Sequence, residues 1–129
     1  MAAFVVDGRE FNVIVPDKGI KRQGRVLDGE DAGRLQNGEM ERDIIGTYYN
    51  YTIPLETSRL NREEYDELYE ILSAPVDYHM LQVPYGQTVI LFRAYVANLD
   101  DTLVSMRNGI NKWTGLSINF VAMGPYRTP

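Results

Sequence analysis

Apolar and polar positions alternate most regularly at the C-terminal end of the chain, over 112–123. Thr114, Leu116, Ile118, Phe120 and Ala122 fall on one side, and Trp113, Gly115, Ser117, Asn119 and Val121 on the other. A period of two with one dry face predicts a strand that covers a core on one side only. The stretch 44–55 has the same rhythm: Ile45, Tyr49, Tyr51, Ile53 and Leu55 oppose Gly46, Asn50 and Thr52, with Tyr48 as the exception. Two further runs, 76–84 and 87–97, flank Tyr85-Gly86 and read as a hairpin, with Ile90, Phe92, Ala94 and Val96 on one face. A weaker strand is expected at 103–106, followed by a second hairpin signal at Asn108-Gly109. At the N-terminus, 3–6 and 9–15 are β-rich and are separated by Asp7-Gly8, a pair suited to a type I′ turn. Pro16 should stop that second strand, because proline has no N–H to give a ladder.

The period changes once. Tyr65, Leu68, Tyr69 and Leu72 recur at helical spacing, Asn61 stands as an N-cap with Glu64 three residues on, and Leu60 is placed to staple onto Tyr65. These signals predict an amphipathic helix over 61–74, ended by Pro75. Between the first hairpin and the strand at 44, residues 17–43 are polar and carry Gly19, Gly24, Gly29, Gly33 and Gly38. They read as a short strand at 21–27 and a loop over 28–39, together an extended arm. Loops of that length in a small domain are commonly functional or disordered. About seven strands and one helix predict a mainly β, α+β domain over 1–129. The expected architecture is an antiparallel sandwich or open barrel with one packed helix and a long Gly-rich loop.

Composition narrows the function classes. The 129 residues suffice for one core, and the balance of 44% hydrophobic and 24% charged residues is that of a globular chain. There is no cysteine, which excludes disulfides, thiolate nucleophiles and cysteine-based zinc sites. A net charge of −5 argues against a grip on nucleic acid. No apolar run approaches the roughly 20 residues of a membrane span. The first residues lack a basic segment followed by an apolar stretch, so no secretory leader is expected.

The candidate chemistry is thin. His79, the lone histidine, has Asp77 nearby but no nucleophile motif, and is expected to be a half-exposed strand histidine. Asp28, Glu30, Gly33 and Glu39 fit positions 1, 3, 6 and 12 of a calcium loop. Position 3 is nevertheless a glutamate, Ala32 offers no oxygen at position 5, and the flanks read as strands. Gly24-x-x-x-x-Gly29 is followed by Glu30-Asp31, whose charge would repel a phosphate. Glu63, Glu64, Asp66, Glu67 and Glu70 suit a solvated, dipole-favoured helix better than a pair of catalytic acids. No cofactor, metal or enzymatic activity is therefore expected. Tyr48, Tyr49 and Tyr51 with Trp113 fit either subunit contacts or a carbohydrate-binding platform.

The run Ala32-Gly33-Arg34, then Gly38-Glu39-Met40, Arg42-Asp43-Ile44-Ile45-Gly46, an aromatic strand, and Leu60-Asn61-Arg62-Glu63-Glu64-Tyr65 resembles small tail proteins of phages and prophages of Gram-positive bacteria. The C-terminal strand with Trp113 to Val121 is similar as well. The resemblance implies a virion structural protein of the tail tube, distal tail or baseplate, assembled in the bacterial host cytoplasm. It implies homo-oligomeric rings and other tail proteins as partners, with no membrane and no specific nucleic-acid binding. An acidic lumen would let DNA pass without sticking. The expected subunit contacts are Arg22, Arg25, Asp28, Arg34, Arg42 and Asp43 along the arm, with Tyr48 and Trp113. The alternative is a carbohydrate- or cell-surface-binding module built on the aromatic strand.

Overall fold

The computed structural model describes residues 4–15, 19–30 and 32–129. Ala3 at the start of the first hairpin, the strand stop at Pro16, the arm's first residues Asp17 and Lys18, and Asp31 in its loop lie outside the described residues. In chain order the elements are β1 (Val5–Val6), β2 (Arg9–Glu10), β3 (Lys21–Asp28), β4 (Gly33–Arg34), β5 (Met40–Glu41), β6 (Ile44–Leu55), α1 (Arg62–Leu72), β7 (His79–Tyr85), β8 (Thr88–Arg107) and β9 (Ile110–Ala122). The fold is mainly β, as the alternation predicts. Seven strands form one antiparallel open sheet in the order β2-β1-β7-β8-β9-β6-β3, and β4 and β5 make a separate ribbon.

The sheet curls around its own core. Tyr51 on β6 donates its hydroxyl to the Pro84 carbonyl on β7 at 2.8 Å, although β9 and β8 lie between those strands. The expected mainly β fold with one packed helix is thus formed as a single open sheet. Its concave side holds Tyr51, Ile53, Leu55, Leu81, Val83, Ile90, Phe92, Leu116, Ile118 and Phe120, all buried. The helix lays Leu68 and Leu72 into the same cluster. Its N-terminus is the predicted capping box: the Glu64 N–H donates to the Asn61 side chain at 2.8 Å, and the Asn61 N–H to the Glu64 carboxylate at 3.2 Å. The helix ends at Leu72, two residues before the expected Ala74. Ser73 caps it there by turning both its N–H and its hydroxyl to the Tyr69 carbonyl.

The turns follow the glycines. Asp7 (φ 50°) with Gly8 (φ 76°), and Asn108 (φ 54°) with Gly109 (φ 72°), take the left-handed pair that a type I′ turn requires. The β7–β8 turn is centred one residue later than expected, on Gly86-Gln87, because Tyr85 is already paired with Thr88. The weak strand expected at 103–106 is not separate. It is the far half of β8, which runs unbroken for 20 residues. Register shifts between Val96 and Asn98, Asp100 and Thr102, and Leu103 and Ser105 interrupt the alternation and hide the continuity. The loop expected over 28–39 likewise contains structure, since Gly33 pairs with Glu41 and Arg34 with Met40. On β6, Ile45 is exposed and Gly46 is buried, the reverse of the expected pattern, because the C-terminal segment covers that end.

Candidate assembly surface

Strand β3 is an edge. It pairs with β6 from Lys21↔Thr52 to Asp28↔Ile44 and has no strand on its other side among the described residues. The outward-pointing N–H and C=O groups of this eight-residue, mostly exposed strand have no strand partner among the described residues and form an open template for another chain. Directly opposed residues share a face, so Arg22 goes with Tyr51 on the concave side, while Lys21 and Arg25 go with Thr52 and Tyr48 on the convex side.

On the concave side Arg22 joins a tyrosine cluster at the lip of the sheet. Its guanidinium lies 5.2 Å from the Tyr85 ring centre, and the Tyr49 and Tyr85 hydroxyls are 2.9 Å apart. Tyr126 packs on both rings. The hydrogen bond between the Tyr49 and Tyr85 hydroxyls holds the Tyr49 phenol below its ordinary value, helped by Arg127 and Arg22, and raises that of Tyr85 against the pull of the same two cations. Burial raises Tyr51, against the pull of Arg22.

Past Asp28 the chain leaves the sheet as a ribbon arm, residues 29–43. Its neck is closed by the Arg42 guanidinium, whose Nε donates to both Asp28 oxygens at 2.8 and 3.0 Å, and by the Gly29 N–H on the Asp43 carbonyl at 2.7 Å. The Asp28 carboxylate is thus engaged by a cation from its own chain. At the tip Arg34 donates to the Gly38 carbonyl at 3.0 Å.

A second arm leaves the opposite end of the sheet. β9 pairs with β6 only from Tyr51↔Phe120 to Leu55↔Leu116, and beyond Leu116 it continues with β8 alone, from Thr102↔Thr114 to Arg107↔Ile110. This hairpin exposes Val104, Met106, Ile110 and Trp113, with Met106 71% exposed. Gly115, at φ 71°, marks its root, where two residues of β9 oppose the single Asp101 of β8. Tyr65 on α1 donates to the Asp101 carboxylate at 2.7 Å and anchors that root. Burial, then the Asp101 charge, pushes the Tyr65 hydroxyl well above its usual value.

The structure thus gathers Arg22, Arg25, Asp28, Arg34, Arg42, Asp43 and Tyr48 along β3, the adjoining part of β6 and the ribbon arm. Trp113 stands apart, on the hairpin arm at the other end. Tyr49 and Tyr51 are buried with their hydroxyls engaged, so Tyr48, Tyr49, Tyr51 and Trp113 do not line one exposed platform. The hairpin arm as an apolar projection was missed. Its sign in the sequence was the pair Val104 and Met106 beside Asn108-Gly109.

His79 differs from expectation. It is 3% exposed rather than half-exposed, because the Asp7-Gly8 turn folds over it. Its Nδ1 lies 2.6 Å from Asp7 Oδ2, and Asp7 Oδ1 accepts the Met80 N–H at 2.8 Å. The ring borders a cleft of about 530 Å³ with Tyr69, Ser73, Asp77 and Tyr95. The Ser73 hydroxyl there is turned to its own helix at Tyr69. The pair therefore locks the N-terminal hairpin onto β7.

Comparison with protein-family models, with curated proteins and with solved structures finds no match for this chain.

Proposed function

We propose that this chain is a structural subunit of a phage or prophage tail, in the tube, distal tail or baseplate region, and that it works by assembling into rings. One observation carries the reading. An open sheet with a free eight-residue edge bears two arms at opposite ends, and the arms present side chains that have no core of their own to fill. Val26, Leu27, Leu35, Met40, Ile44 and Ile45 are exposed on and around one arm, and Val104, Met106, Ile110 and Trp113 on the other. Apolar groups left in water at projecting positions are characteristic of contact surfaces, and neighbours that continue a sheet remove the hazard of an open edge. The negative net charge suits a wall past which DNA moves without adhering.

Electron microscopy and sedimentation of the purified chain across a concentration series test the proposal. Rings or stacked rings are expected, and substitution of Met106 and Trp113 by serine should weaken them. A lone molecule at every concentration that turns over a substrate in a defined cleft would refute it.

A further inference from the structure

We infer that the basic edge strand β3 of one copy docks against the acidic helix α1 of a second copy, head to tail. The inference rests on the assembly reading above and specifies which surfaces meet.

Glu63, Asp66, Glu67 and Glu70 are all exposed on α1 and follow the spacing i, i+3, i+4, i+7, which sets them in one outward stripe. Glu67 is bonded by Arg9 of β2, which leaves Glu63, Asp66 and Glu70 with no ion pair among the described residues. On β3, Lys21 and Arg25 are exposed on the convex face and likewise have no ion pair among the described residues. The dimensions agree. Glu63 and Glu70 are about 10 Å apart along a helix axis. Lys21 and Arg25 are about 13 Å apart along a strand, a difference that flexible side chains absorb.

The two surfaces cannot satisfy each other within one molecule. α1 packs into the concave core through Leu68 and Leu72, whereas Lys21 and Arg25 point to the convex side. Every copy carries both halves of the contact, so a like chain supplies the complement. Because the halves differ, the contact is heterologous and repeats by rotation, as a ring requires.

Charge exchange tests the pairing. Lys21→Glu/Arg25→Glu makes the edge acidic, and Glu63→Lys/Glu70→Lys makes the helix basic; both leave the capping residue Glu64 and the Arg9–Glu67 pair untouched. By sedimentation velocity at about 50 mM salt, where such pairs are weakly screened, each variant alone should associate roughly tenfold more weakly than the native chain. An equimolar mixture should regain native association, since the acidic edge then meets the basic helix and the native edge of one meets the native helix of the other in alternation.

Should the helix variant unfold, Lys21→Gln/Arg25→Gln reads the same contact through a loss of salt dependence. If the native chain assembles and the variants match it, or the mixture gains nothing over its components, the pairing is wrong while assembly stands. A native chain that stays monomeric overturns both, and leaves another protein as the occupant of the basic edge.

Discussion

The ribbon arm and the hairpin arm extend from one sheet but are held in different ways. The ribbon arm, rich in glycine and charge, pairs only two residues on each strand. Its form depends on polar contacts: Arg42 on Asp28, the Gly29 N–H on the Asp43 carbonyl, Arg34 on the Gly38 carbonyl. The hairpin arm relies on its backbone ladder, from Thr102↔Thr114 to Arg107↔Ile110, and on one buried anchor at its root. A ladder leaves side chains uncommitted, which is why Met106 and Ile110 remain outside. A polar neck consumes them. Contacts with neighbours are thus expected to be apolar at the hairpin arm, whereas at the ribbon arm exposed apolar groups such as Leu35 and Met40 stand beside charges already engaged within the arm.

The largest test of this contrast lies where the ribbon arm joins the sheet. A Cβ on Gly46 would meet the Arg127 carbonyl oxygen at 2.5 Å and Pro125 Cβ at 2.6 Å, both in the segment that pairs with Thr47. Gly46→Ala is expected to lower unfolding stability by about 2–3 kcal/mol in urea titration. Gly29→Ala makes an equally short contact, 2.5 Å, but with the free end of Asp43, which can swing aside. It should lose far less, and equal losses would break the argument that the neck is adjustable while the sheet end is not.

Next comes the hairpin anchor. Tyr65→Phe removes a hydrogen bond to a charged partner and should lower stability by about 2 kcal/mol near neutral pH. It also alters the alkaline limb. Tyr65 and Tyr51 both hold their protons more tightly folded than unfolded. Their stabilisation is complete below the unfolded tyrosine value of about 10 and is lost as pH rises above it. Stability measured by chemical denaturation from about pH 9 to 11 should therefore fall less steeply in the variant, with Tyr51 and Tyr85 keeping part of the slope and Tyr49 opposing it.

Gly115→Ala, which forces a side chain into φ 71° at the bulge, should cost about 1 kcal/mol. The loss should appear as faster amide exchange confined to 102–114. The smallest effect is expected for Asp28→Asn at the ribbon neck. The exposed pair with Arg42 should leave the unfolding midpoint nearly unchanged, while exchange at the Gly29 and Leu35 amides quickens. A ribbon amide pattern indistinguishable from native would show that the neck does not depend on that charge.

Much of this layout was legible in the chain. Strand β6 has the bounds that its alternation marks, β9 differs by two residues at its start and one at its end, and the capping box fixed the helix start from Asn61 and Glu64 alone. What stayed hidden depended on partners distant in sequence. His79 is buried because Asp7, 72 positions away, closes over it, and no local pattern announces such a lid. β8 looked like two strands because each added residue at a bulge flips the inside-out order of those that follow. Arg42 could be singled out, but not its hold on Asp28, because that pairing depends on how a glycine-rich segment turns back. Of the docking surfaces, the helix stripe was visible as a run of acids, whereas the free edge of β3 could be recognised only once the strand order was known.

The unbroken length of β8 has a mechanical consequence. At about 3.3 Å per residue, its 20 residues span roughly 65 Å, well beyond the width of a domain this size. The strand is gripped by β7 over its first part and by β9 from Ala94 onward. Tension applied along the hairpin tip draws β8 and β9 together and loads their bonds to β7 and β6 in shear at once, whereas a sideways pull peels them singly. The hairpin arm should therefore resist a pull along its length better than one across it.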